Sequence, residues 1–199
     1  SISDAQRSPL AWANWRGTVH HGLPLDLHVP TDRSEGYLAF VGRIAPEKGV
    51  DRAIEIAQRA RRRLKIAAKV APVDQRYFER VVRPLLGGRG IEFLGEINEA
   101  HKGALLRGAS ALLFPIDWPE PFGLVMIESF ACGTPVVAYR RGSVPEVVND
   151  GVTGFIAHNL ESAVAACGRL GSISRQACRA EFERRFSVGR MADDYLELY

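Results

Sequence analysis

Short apolar runs alternate along the chain with segments in which apolar residues return every three or four positions. Tyr37 to Gly42 (YLAFVG) is a buried-strand candidate, and behind it Val50, Ala53, Ile54, Ala57 and Leu64 recur at helical spacing. Leu64 to Val70 reads as the next strand. Asp74 to Leu86 reads as a helix capped by Asp74 and stopped at Gly87-Gly88, and Ile91 to Leu94 as a third strand. Asn98 can cap a helix running to Arg107, and Ser110 to Phe114 is again strand-like. Phe122 to Cys132 is a helix behind Pro121, Pro135 to Tyr139 a strand, Ser143 the start of a short helical turn, and Gly154 to Ala157 a last short strand. From Asn159 to Tyr199 the pattern is helical, in three pieces broken near Gly171 and Ser187.

Strands alternating with helices of about 10 to 15 residues imply parallel strands joined by crossover helices, a doubly wound, Rossmann-like α/β sheet with helices on both faces. In such sheets ligands bind outside the carboxyl ends of the strands. The segments following each strand therefore draw attention, above all residues 42–49 and 115–123. Residues 1–36 do not share the rhythm; their Pro-, Gly- and His-rich stretch reads as an extended linker. The domain proper is expected over residues 37–199.

Length and composition narrow the class. The chain has 199 residues, enough for one well-packed domain, and its 46% hydrophobic and 25% charged residues describe an ordinary globular protein. The net charge of +3 comes with acids interspersed, so nucleic acid is not implied. Cys132, Cys167 and Cys178 are odd in number and widely spaced, which argues against a disulfide framework or a zinc site and fits the cytoplasm. No apolar run approaches the roughly 18 residues needed to cross a bilayer, though contact with a membrane surface stays open.

The chemistry concentrates in Glu120 to Ala138. Within Phe122 to Cys132, Glu128 is the only charge on a helix apolar all round, so its carboxylate needs a partner. That partner is either a protein cation or a ligand with two adjacent donors, such as a ribose diol. Pro121 at the first helical position would leave the N–H groups of Phe122, Gly123 and Leu124 free for an anion, and Gly123 would allow close approach. On a continuous helix Glu120 and Glu128 would stand about 12 Å apart, near the reach from a sugar through a diphosphate to a ribose. Arg43 and Lys48 flank the loop after the first strand. They could neutralise a diphosphate, or simply pair with Glu47 or Asp51. The run Arg59-Ala60-Arg61-Arg62-Arg63 ends a helix and reads as a solvated face rather than a phosphate patch, and the five histidines have no metal-ligand spacing, so no metal is expected.

Taken together, Phe40-Val41-Gly42-Arg43 with Glu47-Lys48-Gly49, Phe93-Leu94-Gly95, Glu120-Pro121-Phe122-Gly123 through Glu128, and Cys132-Gly133-Thr134-Pro135-Val136-Val137-Ala138 resemble the C-terminal, donor-binding domain of retaining GT-B glycosyltransferases of the family 4 type. Gly142-Ser143-Val144-Pro145-Glu146 and residues 149–155 extend the resemblance, which covers about residues 15 to 199. It implies a nucleotide-diphosphate sugar donor, UDP- or GDP-linked, with no prosthetic group. Gly42, Arg43 and Lys48 would then lie on the diphosphate, and Glu128 on the ribose hydroxyls. Glu120, with the backbone of Phe122, Gly123, Leu124 and Val125, would hold the transferred sugar and its phosphates; Ile97 and Lys102 would lie beside base and ribose. Arg43, Lys48 and Glu120 carry the expected catalytic roles.

The resemblance also implies an N-terminal half that binds the acceptor, whether glycan, lipid or small molecule. Ser1 to Arg7 looks like a remnant of it. The reading is a hexosyltransferase domain incomplete by itself. The alternatives are a nucleotide-binding regulatory module without transfer activity, and a related epimerase or phosphorylase; the latter should carry a cofactor lysine motif that is not found.

Overall fold

The apolar runs pair into one sheet. In the computed structural model, which describes all 199 residues, the strands are β1 (Tyr37–Arg43), β2 (Arg63–Lys69), β3 (Ile91–Gly95), β4 (Ala109–Phe114), β5 (Val136–Tyr139) and β6 (Gly154–Ala157). All neighbours are parallel, in the order β3-β2-β1-β4-β5-β6. The central strands are covered on both faces, which is why β4 and β5 read as unbroken apolar runs. Edge strand β3 alternates instead and leaves Leu94 exposed.

The helices are α1 (Val50–Arg59), α2 (Gln75–Tyr77), α3 (Arg83–Leu86), α4 (Glu99–Gly108), α5 (Leu124–Ala131), α6 (Val144–Val147), α7 (Leu160–Gly168), α8 (Arg175–Arg185) and α9 (Val188–Leu198). α1 buries Val50, Ala53, Ile54, Ile56 and Ala57 against the sheet. Leu64, grouped with that stripe from its spacing, instead lies inside β2, because the helix stops at Arg59. The helix expected over residues 74–86 is three pieces, α2 and α3 with a π-helical stretch at Phe78–Val82 between them. Asp74 does not cap it; its side chain turns to Arg43. Asn98 does cap α4, accepting from the His101 N–H at 3.0 Å. The C-terminal helical region divides into α7, α8 and α9, with a 3-10 turn at Leu170–Ser172.

Residues 1–36 hold a 3-10 turn at Ala5–Leu10 and otherwise run without helix or ladder along the domain. Leu23 bridges α8 to α9 through its backbone, donating to Phe186 O at 2.8 Å and accepting from Val188 N–H at 2.9 Å. Two arginines of α8 fasten this segment. Arg175 donates to the carbonyls of Thr31, Arg107 and Ala109 at 2.7 Å each, to Cys132 O at 3.3 Å and to Thr134 Oγ1 at 2.6 Å. Arg179 donates to the carbonyls of Leu25, His28 and Ala131. The N-terminal segment, the start of β4 and the C-terminal end of α5 are thereby tied to one helix. Phe130 of α5, Phe182 of α8 and Phe186 pack fully buried beneath these ties.

Candidate functional site

The strand order places the site. The chain winds outward through β1, β2 and β3, then crosses back to lay β4 beside β1. The loops after β1 and β4 therefore flank the switch point at the carboxyl edge, where sheets of this kind bind ligands. These loops are stitched together. Asp117 N–H donates to Glu47 O at 2.9 Å, and Arg52 Nε to Pro115 O at 2.9 Å. Gly49 sits in the left-handed region at φ 73°, where a Cβ would come within 2.4 Å of Pro115 O. Only glycine lets the two loops approach so closely.

That approach brings Lys48 to Glu120, Nζ to Oε2 at 2.5 Å. Arg43, at the end of β1, lies between Glu47 (2.8 Å) and Asp74 (3.3 Å). Gly42 beside it has open space, a Cβ there meeting only the Phe40 ring at 3.9 Å. The Glu120 loop is clamped from the far side by residues after β5. Ser143 N–H donates to Glu120 O at 3.0 Å, and Ser143 Oγ to Phe122 O at 2.7 Å. Gly142, at φ 50°, lies against the Glu120 backbone.

α5 begins later than its sequence suggests. Gly123 adopts φ 80°, ψ 66° and ends the preceding loop, so the first helical residue is Leu124 and Pro121 stands outside the helix. Glu120 is thus a loop residue, and the helical-rise spacing between the two glutamates does not apply. The anion-site reasoning keeps its physical basis: the backbone N–H groups of Phe122, Gly123, Leu124 and Val125 have no acceptor within the protein. The Phe122 side chain turns inward, edge-on to the His21 ring at 5.0 Å, and Leu124 is exposed.

Glu128, one turn into α5, is buried and pairs with Lys102 of α4 at 2.8 Å. Lys102 also meets Glu99 at 2.9 Å. Burial alone would lower the Lys102 pKa, but the hydrogen bonds to Glu128 and Glu99 outweigh it and the pKa is raised. Behind this group His28 of the N-terminal segment is almost fully buried, its Nε2 3.4 Å from Glu99 Oε1, and desolvation lowers its pKa. Ile97, in the loop ahead of α4, is half-buried and packs towards Tyr37, Ala39 and Leu105 on the sheet face. No three His, Cys, Asp or Glu side chains converge as a metal cluster.

The structure thus joins Lys48 to Glu120 and Lys102 to Glu128, and places the free N–H groups at the head of the helix that carries Glu128. Partners that sequence reasoning did not assign to the site are Glu99, His28 and Asp74, the last read as a helix cap. Gly142 and Ser143, in the segment that follows β5, were carried by the resemblance without a stated role.

A family model, glycosyl transferases group 1, matches residues 29–173. The chain belongs to this family. As a group 1 glycosyl transferase sequence it is 32% identical over 192 residues to alpha-maltose-1-phosphate synthase of Mycolicibacterium smegmatis, covering 84% of the chain and 48% of that protein. It is also 32% identical over 204 residues to D-inositol 3-phosphate glycosyltransferase of Mycobacteroides abscessus, covering 91% of the chain and 45% of the relative. The chain spans about half the length of the curated relatives it matches. In fold it is similar to AviGT4, a glycosyltransferase involved in avilamycin A biosynthesis, with TM-score 0.85, 24% identity, and coverage of 100% of the chain and 61% of AviGT4. HepE of Anabaena, solved in complex with UDP and glucose, gives TM-score 0.82 at 21% identity, covering 99% of the chain and 61% of HepE. No helix of the group 1 domain is long and apolar enough to cross a membrane.

Proposed function

We propose that this chain is the donor-binding half of a retaining hexosyltransferase that uses a UDP- or GDP-linked sugar. The observation that carries the reading is the pairing of two acids with two lysines around the head of α5, at the switch point of the sheet. Glu128 accepts from the ribose diol, with Lys102 and Ile97 beside ribose and base. Arg43 and Lys48 hold the diphosphate, and Gly42 lets it lie close to the backbone. Glu120 and the N–H groups of Phe122, Gly123, Leu124 and Val125 hold the transferred sugar and its phosphate oxygens. Both cations leave carboxylates to do so, Lys48 from Glu120 and Arg43 from Glu47 and Asp74.

In transfer the acceptor oxygen bonds to the anomeric carbon on the face from which the diphosphate departs. The bond to the diphosphate oxygen breaks, and the acceptor proton passes to that leaving phosphate. Cations at the diphosphate stabilise charge that grows as the bond breaks, so their effect is larger in the transition state than in the ground state. The acceptor, a glycan, lipid or small molecule, is held by a second, N-terminal domain, without which the chain binds donor and transfers nothing.

The test is calorimetric titration with UDP and with GDP, followed by a transfer assay after mixing with an N-terminal half. Binding with transfer in the mixture supports the enzyme; binding without it favours a nucleotide-binding regulatory module. Absence of binding to either nucleotide overturns both.

A further inference from the structure

A second cationic site lies at the opposite edge of the sheet. The turn from α1 into β2 brings Arg61, Arg62 and Arg63 to the mouth of a concavity of about 800 Å³, and the loop ahead of β3 adds Arg89 and Gly90 from the other side. No acidic residue lines it, and none of the four guanidinium groups is in a salt bridge, whereas neighbouring Arg59 pairs with Glu55 and Glu161. Arg62 and Arg63 each spend one donor on a backbone carbonyl, Cys167 O at 3.5 Å and Glu35 O at 2.7 Å, which orients the forks and leaves most of their N–H groups free.

Two local features show that the cluster is held together. Arg61 is the one non-glycine residue in the chain with positive φ, at 54°. It ends α1 in a Schellman turn, with Arg61 N–H to Gln58 O at 3.1 Å and Arg62 N–H to Ala57 O at 2.9 Å, a position where glycine is ordinarily favoured. An arginine there keeps a disfavoured backbone in exchange for a cation at this mouth. Arg89 follows Gly88, which packs against the end of α1: a Cβ there would come within 2.5 Å of Gln58 Nε2 and 3.2 Å of Leu85 O. The helix dipole accounts for a single cation on the last turn of α1, which Arg59 already provides, and says nothing about Arg89.

We propose that these four arginines form an anion site for a ligand bearing several phosphate groups, separate from the donor crevice. The crevice opens at the far end of β2, whose seven residues span about 20 Å. Guanidinium forks match phosphate oxygens in pairs, and four converging charges without a compensating acid suit a polyanion better than a single carboxylate. The same chemistry is presented by a soluble polyphosphate and by an array of phosphomonoester headgroups on a lipid surface.

The test is titration of the protein with tripolyphosphate, followed through the backbone amide resonances of residues 61–63 and 89–90. Saturable shifts are expected there, about tenfold weaker in Arg61→Gly and about a hundredfold weaker in Arg61→Gly with Arg89→Ser. Because glycine accepts the backbone at position 61, Arg61→Gly should keep an equal or higher thermal midpoint, so lost binding cannot be ascribed to unfolding. Co-sedimentation with phosphatidylcholine vesicles containing phosphatidic acid, but not with phosphatidylcholine alone, assigns the site to a headgroup; tripolyphosphate binding without sedimentation assigns it to a soluble ligand. No saturable shift at these residues, or equal affinity in the double variant, overturns the proposal.

Discussion

Replacing Glu128 by alanine tests the site where stability and binding separate. The carboxylate is 12% exposed and its partner Lys102 20% exposed, and removing one member of a buried pair typically costs about 3–5 kcal/mol. Here Lys102 keeps Glu99 at 2.9 Å, so its charge is not orphaned and the loss should be smaller, about 1–2 kcal/mol. For a chain of this length that corresponds to a fall of about 2–8 °C in thermal midpoint. Binding should suffer more. A hydroxyl bonded to a charged acceptor contributes about 1.5–3 kcal/mol, so affinity for the preferred nucleoside diphosphate should drop by roughly ten- to 150-fold. Calorimetry at a temperature well below both midpoints reads this directly. Arg59→Ala, which breaks only exposed pairs with Glu55 and Glu161, serves as the control. If Glu128→Ala binds UDP and GDP as wild type does, the ribose assignment is wrong and the Lys102 pair is merely structural.

Other perturbations probe the surrounding architecture. Gly123→Ala must hold φ 80° and place a methyl 2.8 Å from Met126 Cε and 3.1 Å from Phe114 Cζ, so urea unfolding should show a loss of about 2–3 kcal/mol; a loss under about 0.5 kcal/mol would refute this account of the turn. Arg175→Ala removes a donor from five acceptors and should cost about 3 kcal/mol or more, with Arg175→Lys failing to restore it, since one ammonium cannot reach them all. For His28 the folded pKa lies below the ordinary 6.5, so between the two values the unfolded chain binds more protons. Stability should therefore fall as pH drops through 6.5 and level off below the folded pKa. In thermal melts His28→Gln should flatten this decline without abolishing it, because burial lowers the His21 pKa as well; an unchanged profile would refute the assignment.

The sheet was legible because its central strands are covered on both faces and so appear as unbroken apolar runs between helical stripes. Glu128 was legible for the related reason that a lone charge on an apolar helix must have a partner. The identity of that partner was not, since Lys102 lies 26 residues away on another helix and only the packing of α4 against α5 joins them. The start of α5 was misplaced because Pro121 is a common first helical residue. The left-handed backbone at Gly123 imposes a later start, and a single glycine signals equally well a close approach or a turn. Asp74 looked like a cap because an acid ahead of a helical stripe usually is one. A long-range contact with Arg43 prevails over that local preference.

The two arginines of α8 bear on how much of the polypeptide the crevice depends upon. Arg175 and Arg179 lie beyond residue 173, where the family match ends, yet between them they saturate seven main-chain oxygens drawn from the linker, from the α4–β4 junction and from the tail of α5. A polypeptide trimmed to the matched region would strand those oxygens and slacken the trailing end of the very helix whose leading end faces the crevice. The carboxyl-terminal helices are therefore the guy-lines of the domain, and severing them would unsettle a pocket they reach only through the edge-on packing of Phe186 against Phe122.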